Sequence, residues 1–371
     1  MRLILLLALT FGCASVPQIQ GSGSVAGYAL RGPIDHDVAR AYLEGRRLPS
    51  ALEATRREYL SSGDVPSRTA LAEVSREYSP DVATLLFLET WSARADVRQL
   101  RKRFEAELEV ARQVEEKRVR LEPPSDLLVL FVPGWFYRAH GAETNADFHV
   151  QRRLYEQWGV NQRLVPILEN GTIEENARIV ANAVRASSAN HRIVLVSASK
   201  SGPEVALALG RELKANETKS VVAWLSIVGA VRGSPIADRI LEPDICWFVK
   251  FQLAREGFDL RGVHSLQRWR AQKSFQAIRL PESVRTFSLI AVPLSGQISA
   301  RGSFGYGVLR EHGPNDGMTL LADEIIPGAV PLFFPGVDHF LGRADQSAWS
   351  LAIFRTVVGE LQERKAEEGR L

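Results

Sequence analysis

The chain predicts a doubly wound α/β fold, a mostly parallel sheet with helices on both faces, because buried-type strands alternate with helices through its last two thirds. Two further observations complete the prediction. Residues 34–121 read as helical throughout, and an insert at about 238–281 interrupts the alternation. At 371 residues, 45% hydrophobic and 24% charged, the chain is long enough for one enlarged domain or a large and a small one.

The first 17 residues read as a signal. Arg2 precedes the apolar run Leu3-Ile4-Leu5-Leu6-Leu7-Ala8-Leu9, and small residues follow at Gly12, Cys13, Ala14 and Ser15. The run is shorter than the roughly 20 residues a spanning helix takes. Gly12-Cys13 at its end resembles the lipobox of bacterial lipoproteins, which implies lipidation at Cys13 and a membrane anchor. Ordinary cleavage near Ala14-Ser15 is the alternative. Either way the mature chain is expected to be exported, to the periplasm or cell envelope. Residues 18–33, rich in Gly and Ser, read as a linker.

Asp35 is expected to cap a helix holding Ala39, Tyr42 and Leu43, which Gly45 ends. Ser67 or Thr69 opens another, and Ser79-Pro80-Asp81 a third, with Pro in the first turn. From 96 to 120, Leu100, Phe104, Leu108, Ala111 and Val114 recur at steps of three and four, one stripe of an amphipathic helix. This region is expected to pack on the following domain or to space it from a membrane. Glu122-Pro123-Pro124-Ser125 marks the boundary, and residues 122–371 form the α/β domain. Its first strand is the continuous apolar run Leu127–Val132, the pattern of a strand buried on both faces. Strands follow at 163–167, 192–196, 221–228, 285–292 and 330–334. Thr172 caps a helix over 172–186, with Glu175 completing a capping box. Helices at about 203–215 and 348–364 complete the set.

Several classes are excluded. The net charge of +3 comes with no basic patch interleaved with aromatics, so no nucleic acid is expected. Two cysteines, Cys13 and Cys246, rule out a disulfide-stapled fold, and Cys246 in Ile245-Cys246-Trp247-Phe248-Val249 reads as a small buried hydrophobe. His140 and His149 have no ligand cluster around them, and no glycine-rich phosphate loop occurs, so neither metal nor cofactor is expected.

The chemistry centres on Val194-Leu195-Val196-Ser197-Ala198-Ser199-Lys200-Ser201-Gly202, between a buried strand and a helix. A serine on the sharp strand-to-helix turn of a nucleophile elbow needs small neighbours two residues to either side. Ser197 and Ser201 stand there, with Gly202 next, so the motif is a degenerate Gly-x-Ser-x-Gly. The alternative is a serine-rich helix entry in which Ser199 or Ser201 merely caps. In this architecture an acid and then a histidine follow the serine. Asn315-Asp316-Gly317 comes after the fifth strand and Gly336-Val337-Asp338-His339 directly after the sixth, at the carboxyl edge where such sheets build sites. Ser199 as nucleophile, Asp316 as orienting acid and His339 as base form the candidate catalytic set, with Asp338 and His312 as rivals. The oxyanion site needs two backbone N–H donors. Lys200, after the elbow serine, offers one, and Trp135, in Pro133-Gly134-Trp135 after the first strand, the other. Gly134 is expected to allow close backbone approach.

Over roughly residues 125–345 the chain resembles the bacterial lipases and esterases of the α/β-hydrolase superfamily. Pro133-Gly134-Trp135 resembles their His-Gly loop with Pro in place of His. Ser197 to Gly202 is similar to their elbow, and Asn315-Asp316-Gly317 to the segment around their catalytic acid. Gly229-Ala230-Val231-Arg232-Gly233-Ser234-Pro235 resembles a segment in which a Pro-His often precedes Arg-Gly-Ser; Val231 departs from it. The resemblance implies an exported carboxylic ester hydrolase working through an acyl-enzyme on Ser199, on a small-molecule or lipid ester. An insert rich in Trp247, Phe248, Phe251, Leu253, Trp269 and Phe275 is expected to cap the site over an acyl chain. The alternatives are a non-catalytic surface binding or scaffold protein on the same fold, and an acyltransferase or peptidase with the same three residues.

Overall fold

A computed structural model describes residues 19–117, 123–255, 257, 259–268, 270, 273, 275, 278–342 and 345–368. The signal segment with Cys13, and Trp269 of the cap, lie outside them.

The expected linker is instead an antiparallel hairpin, β1 (Ile19–Val25) and β2 (Tyr28–Ile34), turning at Ala26 and Gly27, both left-handed at φ 50° and 82°. Its glycines serve close packing rather than flexibility. A Cβ on Gly23 would lie 1.8 Å from the Leu43 carbonyl oxygen. Five helices follow: α1 (Asp37–Leu43), α2 (Ser50–Ser62), α3 (Arg68–Glu77), α4 (Pro80–Ser92) and α5 (Ala95–Lys117). Ser67 and Ser79 cap α3 and α4 as expected. Asp35 does not cap α1. His36, extended at φ −153°, does so through Nδ1, while the Asp35 N–H donates to Asp81 Oδ2 at 2.8 Å.

This region belongs to the main core. α4 is buried on nearly all sides, and Leu100, Phe104 and Ala111 of the α5 stripe are buried. Phe87 of α4 packs edge-on against Phe333 and Phe104 of α5 against Phe334, with ring centroids 5.7 and 5.4 Å apart. Neighbouring strand residues point to opposite faces, so the two helices reach both sides of the strand that carries these phenylalanines.

That strand closes a six-stranded sheet in which every pairing is parallel. In chain order come β3 (Leu127–Val132), α6 (Tyr137–Thr144), α7 (His149–Gln157), β4 (Asn161–Leu164), α8 (Ile173–Ser187), β5 (Arg192–Ala198), α9 (Ser201–Leu207) and β6 (Val221–Ile227). After β6 come α10 (Pro235–Ile240) and α11 (Pro243–Arg255), then β7 (Arg285–Val292), α12 (Ser303–Leu309), β8 (Val330–Pro335) and α13 (Gln346–Glu368). The sheet order is β4-β3-β5-β6-β7-β8. Residues of α8 and α9 cover one face, and those of α5, α7 and α13 the other. Thr172 and Glu175 form the expected capping box on α8. β4 ends before Val165 and Ile167; these are buried in a loop against the α8 side, which explains their strand-like apolarity.

The insert after β6 is helical, but its aromatics do not all face inward. Ile245, Val249 and Leu253 form the buried side of α11, while Trp247 and Phe251 project outward, 69% and 57% exposed. Phe275 joins the core on the α8 face, and Cys246 is half-buried.

Candidate active site

The elbow is built by strain and by two serines. Ser199 follows β5 directly and has φ 54°, the left-handed region that L-residues avoid. Hydrogen bonds hold the turn there: the Ser199 N–H donates to the Ile227 carbonyl at 3.0 Å, and the Ser199 carbonyl accepts from Gly202 and Ala230. Ser201 is fully buried; its hydroxyl accepts the Ala198 N–H at 2.8 Å and faces the Val132 and Ala198 carbonyls at 2.8 and 2.9 Å. Ser197, also fully buried, accepts from the Trp224 indole at 2.9 Å. The serines that replace the usual glycines are thus structural ties. Close approach is needed at Gly202, where a Cβ would lie 3.0 Å from Gly229 Cα. At Gly134 an added Cβ would make ordinary contacts, 3.4 Å or longer, so the close approach expected there is not required.

The structure brings Ser199, His339 and Asp316 together. His339 Nε2 lies 2.9 Å from Ser199 Oγ, and its Nδ1 lies 2.5 Å from Asp316 Oδ2. Asp316 is fully buried, and its Oδ1 accepts the Met318 and Thr319 N–H groups at 2.9 and 2.7 Å. The second carboxylate oxygen is therefore the one aimed at the imidazole. The His339 N–H also donates to the Asp316 carbonyl, which ties the two loops together. Neither rival joins this chain. Asp338 accepts from the Ser299 and Phe340 N–H groups, and His312 sits apart, its imidazole held below its ordinary range by burial and by Arg268 and Arg68. Glu324 is buried beside Asp316, and burial together with that neighbouring charge pushes its carboxyl well above the usual range.

The Lys200 ammonium is buried and pairs with Glu204, which Asn176 also contacts at 2.8 Å. The Lys200 side chain therefore does not reach substrate. Its backbone begins α9 directly after Ser199, and Trp135 lies in the cavity wall with its ring stacked on Phe136.

A cavity of about 230 Å³ opens over Ser199 and His339. Its lining is mostly apolar, with Ile240, Val249 and Leu253 from the insert together with Phe304 and Met318. Six of the seven described non-glycine residues with left-handed φ line it: Phe136, Asn145, Phe148, Ser199, Val228 and Leu341. Each such conformation costs on the order of 1–3 kcal/mol, and such strain collects at functional sites. No residue type along the chain signals this ring. Among the described residues, no group of three or more His, Cys, Asp or Glu could hold a metal.

No protein-family model matches the chain, and no curated protein matches it. Solved structures do. A metagenomic carboxyl esterase superposes with a TM-score of 0.55 at 22% identity, over 66% of this chain and 78% of its own. The mature form of a Bacillus licheniformis lipase superposes with a TM-score of 0.51 at 20% identity, over 65% of this chain and 94% of its own. With the all-parallel sheet and its flanking helices, these likenesses show that the chain has the α/β-hydrolase fold.

Proposed function

We propose that the protein is a serine hydrolase of carboxylic esters working through an acyl-enzyme on Ser199. The observation that carries this reading is the bridge made by His339, 2.9 Å from the Ser199 hydroxyl on one side and 2.5 Å from the Asp316 carboxylate on the other. With Nδ1–H donated to Asp316, Nε2 is left free to take the Ser199 proton as Oγ attacks the ester carbonyl carbon. The imidazolium returns that proton to the departing alcohol. Water then attacks the acyl-enzyme with His339 as base again, releasing the acid and restoring Ser199. The oxyanion is received by the backbone N–H groups of Lys200 and Trp135. The apolar cavity suits an uncharged ester with hydrocarbon on one or both sides of the bond. The names of the two solved structures, an esterase and a lipase, agree with this substrate class.

A fluorophosphonate probe is expected to label the wild type and not Ser199→Ala. Labelling that persists in the variant would refute the assignment, and a folded wild type that cleaves no aryl ester would favour the non-catalytic alternative. We further propose export with lipidation at Cys13; a Cys13→Ser protein is then expected in the soluble fraction and without incorporated fatty acid.

A further inference from the structure

A second apolar cavity, of about 60 Å³, lies between the sheet and α13. Val196, Leu225 and Leu289 form its sheet side, and Trp349, Ser350 and Ile353 its helix side. Three residues line both this cavity and the one over Ser199: Gln151, Ile227 and Leu341. Strand geometry fixes the relation between the two. Ala198 and Ile227 line the upper cavity, while Val196 and Leu225, two residues earlier on the same sheet face, line the lower. At about 3.3 Å per residue the lower cavity begins roughly 7 Å down that face.

The partition has its own construction. Leu341 is held left-handed at φ 52°, with its N–H donated to the Asp338 carbonyl, two residues from His339. Gln151 is fixed by Asn145 at 2.7 Å and by Gln346 at 3.3 Å. Strain of this kind persists only where the surroundings impose it, and here it sets a leucine side chain at the junction of two apolar spaces. The buried side chains of the lower cavity leave an apolar space, which takes hydrocarbon and not a polar group.

Resting on the ester-hydrolase reading, we infer that the two cavities form one bent site for a linear acyl chain: the ester carbonyl at Ser199, the chain passing Ile227 and Leu341, and its methyl end between the sheet and α13. The substrate class is then an ester of a medium- or long-chain unbranched fatty acid.

The test has two arms. Ser350→Leu fills the lower cavity from α13. The ratio of kcat/KM for a decanoyl over an acetyl aryl ester is expected to fall at least tenfold, since each excluded methylene is worth about fourfold. A ratio within twofold of wild type, in a variant with native circular dichroism and melting temperature, overturns the proposal. A crystal structure of the wild type carrying a dodecyl phosphonate on Ser199 decides independently of any variant. The tail is expected beside Trp349 and Ile353; a tail lying under α11 against Val249 and Leu253 overturns it. If no ester is cleaved and no adduct forms, calorimetry of dodecanoate with the wild type and Ser350→Leu separates the two ideas. Binding that Ser350→Leu weakens at least tenfold keeps the chain site and discards the hydrolase. No binding, or equal binding to both, discards the chain site.

Discussion

Ser201 offers a sharp test of how the elbow is held. The hydroxyl accepts the Ala198 N–H and donates to the carbonyl of Val132 or Ala198, all within 2.9 Å and without solvent. Ser201→Ala leaves the Ala198 N–H without that acceptor in a buried place, which costs about 1–3 kcal/mol. Ser201→Gly restores the usual small residue of such elbows yet adds roughly 0.5–1 kcal/mol of backbone entropy, so it is expected to be the worse variant. The contact also joins two segments that need a fixed separation. Val132 ends β3, three residues before Trp135, and Ala198 precedes Ser199, so the same hydroxyl sets the distance between the proposed oxyanion donors. A loosening there is expected to lower kcat by about tenfold to a hundredfold with little change in KM. Urea unfolding with an unchanged m-value measures the first effect, and aryl ester kinetics the second. A Ser201→Gly protein equal to wild type in both would refute the argument that this serine is a structural tie.

Three further outcomes follow from the geometry. Asp316→Asn keeps an oxygen for the Met318 and Thr319 N–H groups but turns an amide N–H toward His339 Nδ1, forcing the wrong tautomer; kcat is expected to drop about 10⁴-fold with stability retained, and a drop under tenfold contradicts the role. Asp323, fully buried and 3.4 Å from Arg68, is raised from 3.8 to about 6 by burial, which Arg68, Arg232 and Arg268 offset only in part. Stability from its protonated form is complete below pH 3.8 and lost as pH rises through 6, roughly 3 kcal/mol in all. Unfolding of wild type and Asp323→Asn at pH 4 and pH 7 checks this: the wild type should lose ground to the variant by about that amount, and a constant difference contradicts the assignment. Gly23→Ala places a Cβ 1.8 Å from the Leu43 carbonyl and is expected to destabilise by about 2 kcal/mol or more, whereas Gly307→Ala, with nothing within 4 Å, is not; equal melting temperatures for both would show that the hairpin is not packed as described.

The sheet was legible because parallel strands buried on both faces carry continuous apolar runs, and β3, β5, β6, β7 and β8 all do. Ser199, Asp316 and His339 could be picked out because their order along the chain and their places after β5, β7 and β8 are dictated by the topology. What could not be read depends on packing partners distant in sequence. The Gly/Ser stretch looked flexible because composition does not say that Gly21 and Gly23 lie against Ile34 and Leu43. Trp247 and Phe251 looked like cap lining because aromatic content does not tell which side of α11 faces in. The buried pair of Lys200 and Glu204 sits at helical spacing (i, i+4), a signal that was present but is ordinary on exposed helices.

The hairpin at Ile19–Ile34 also sets how far the protein could stand from a membrane. Were residues 18–33 a free linker, a lipid on Cys13 would leave 21 residue steps before Ile34, a reach of about 75 Å. With β1 beginning at Ile19 and Arg101 of α5 bonding the hairpin turn at the Ala26 and Gly27 carbonyls, only six steps remain, about 20 Å at full extension. A Cys13-anchored protein would therefore be moored at the lipid surface rather than tethered above it. Its supply of esters would be whatever that surface presents, and its turnover would follow the bilayer's composition more than the concentration of esters in the surrounding fluid.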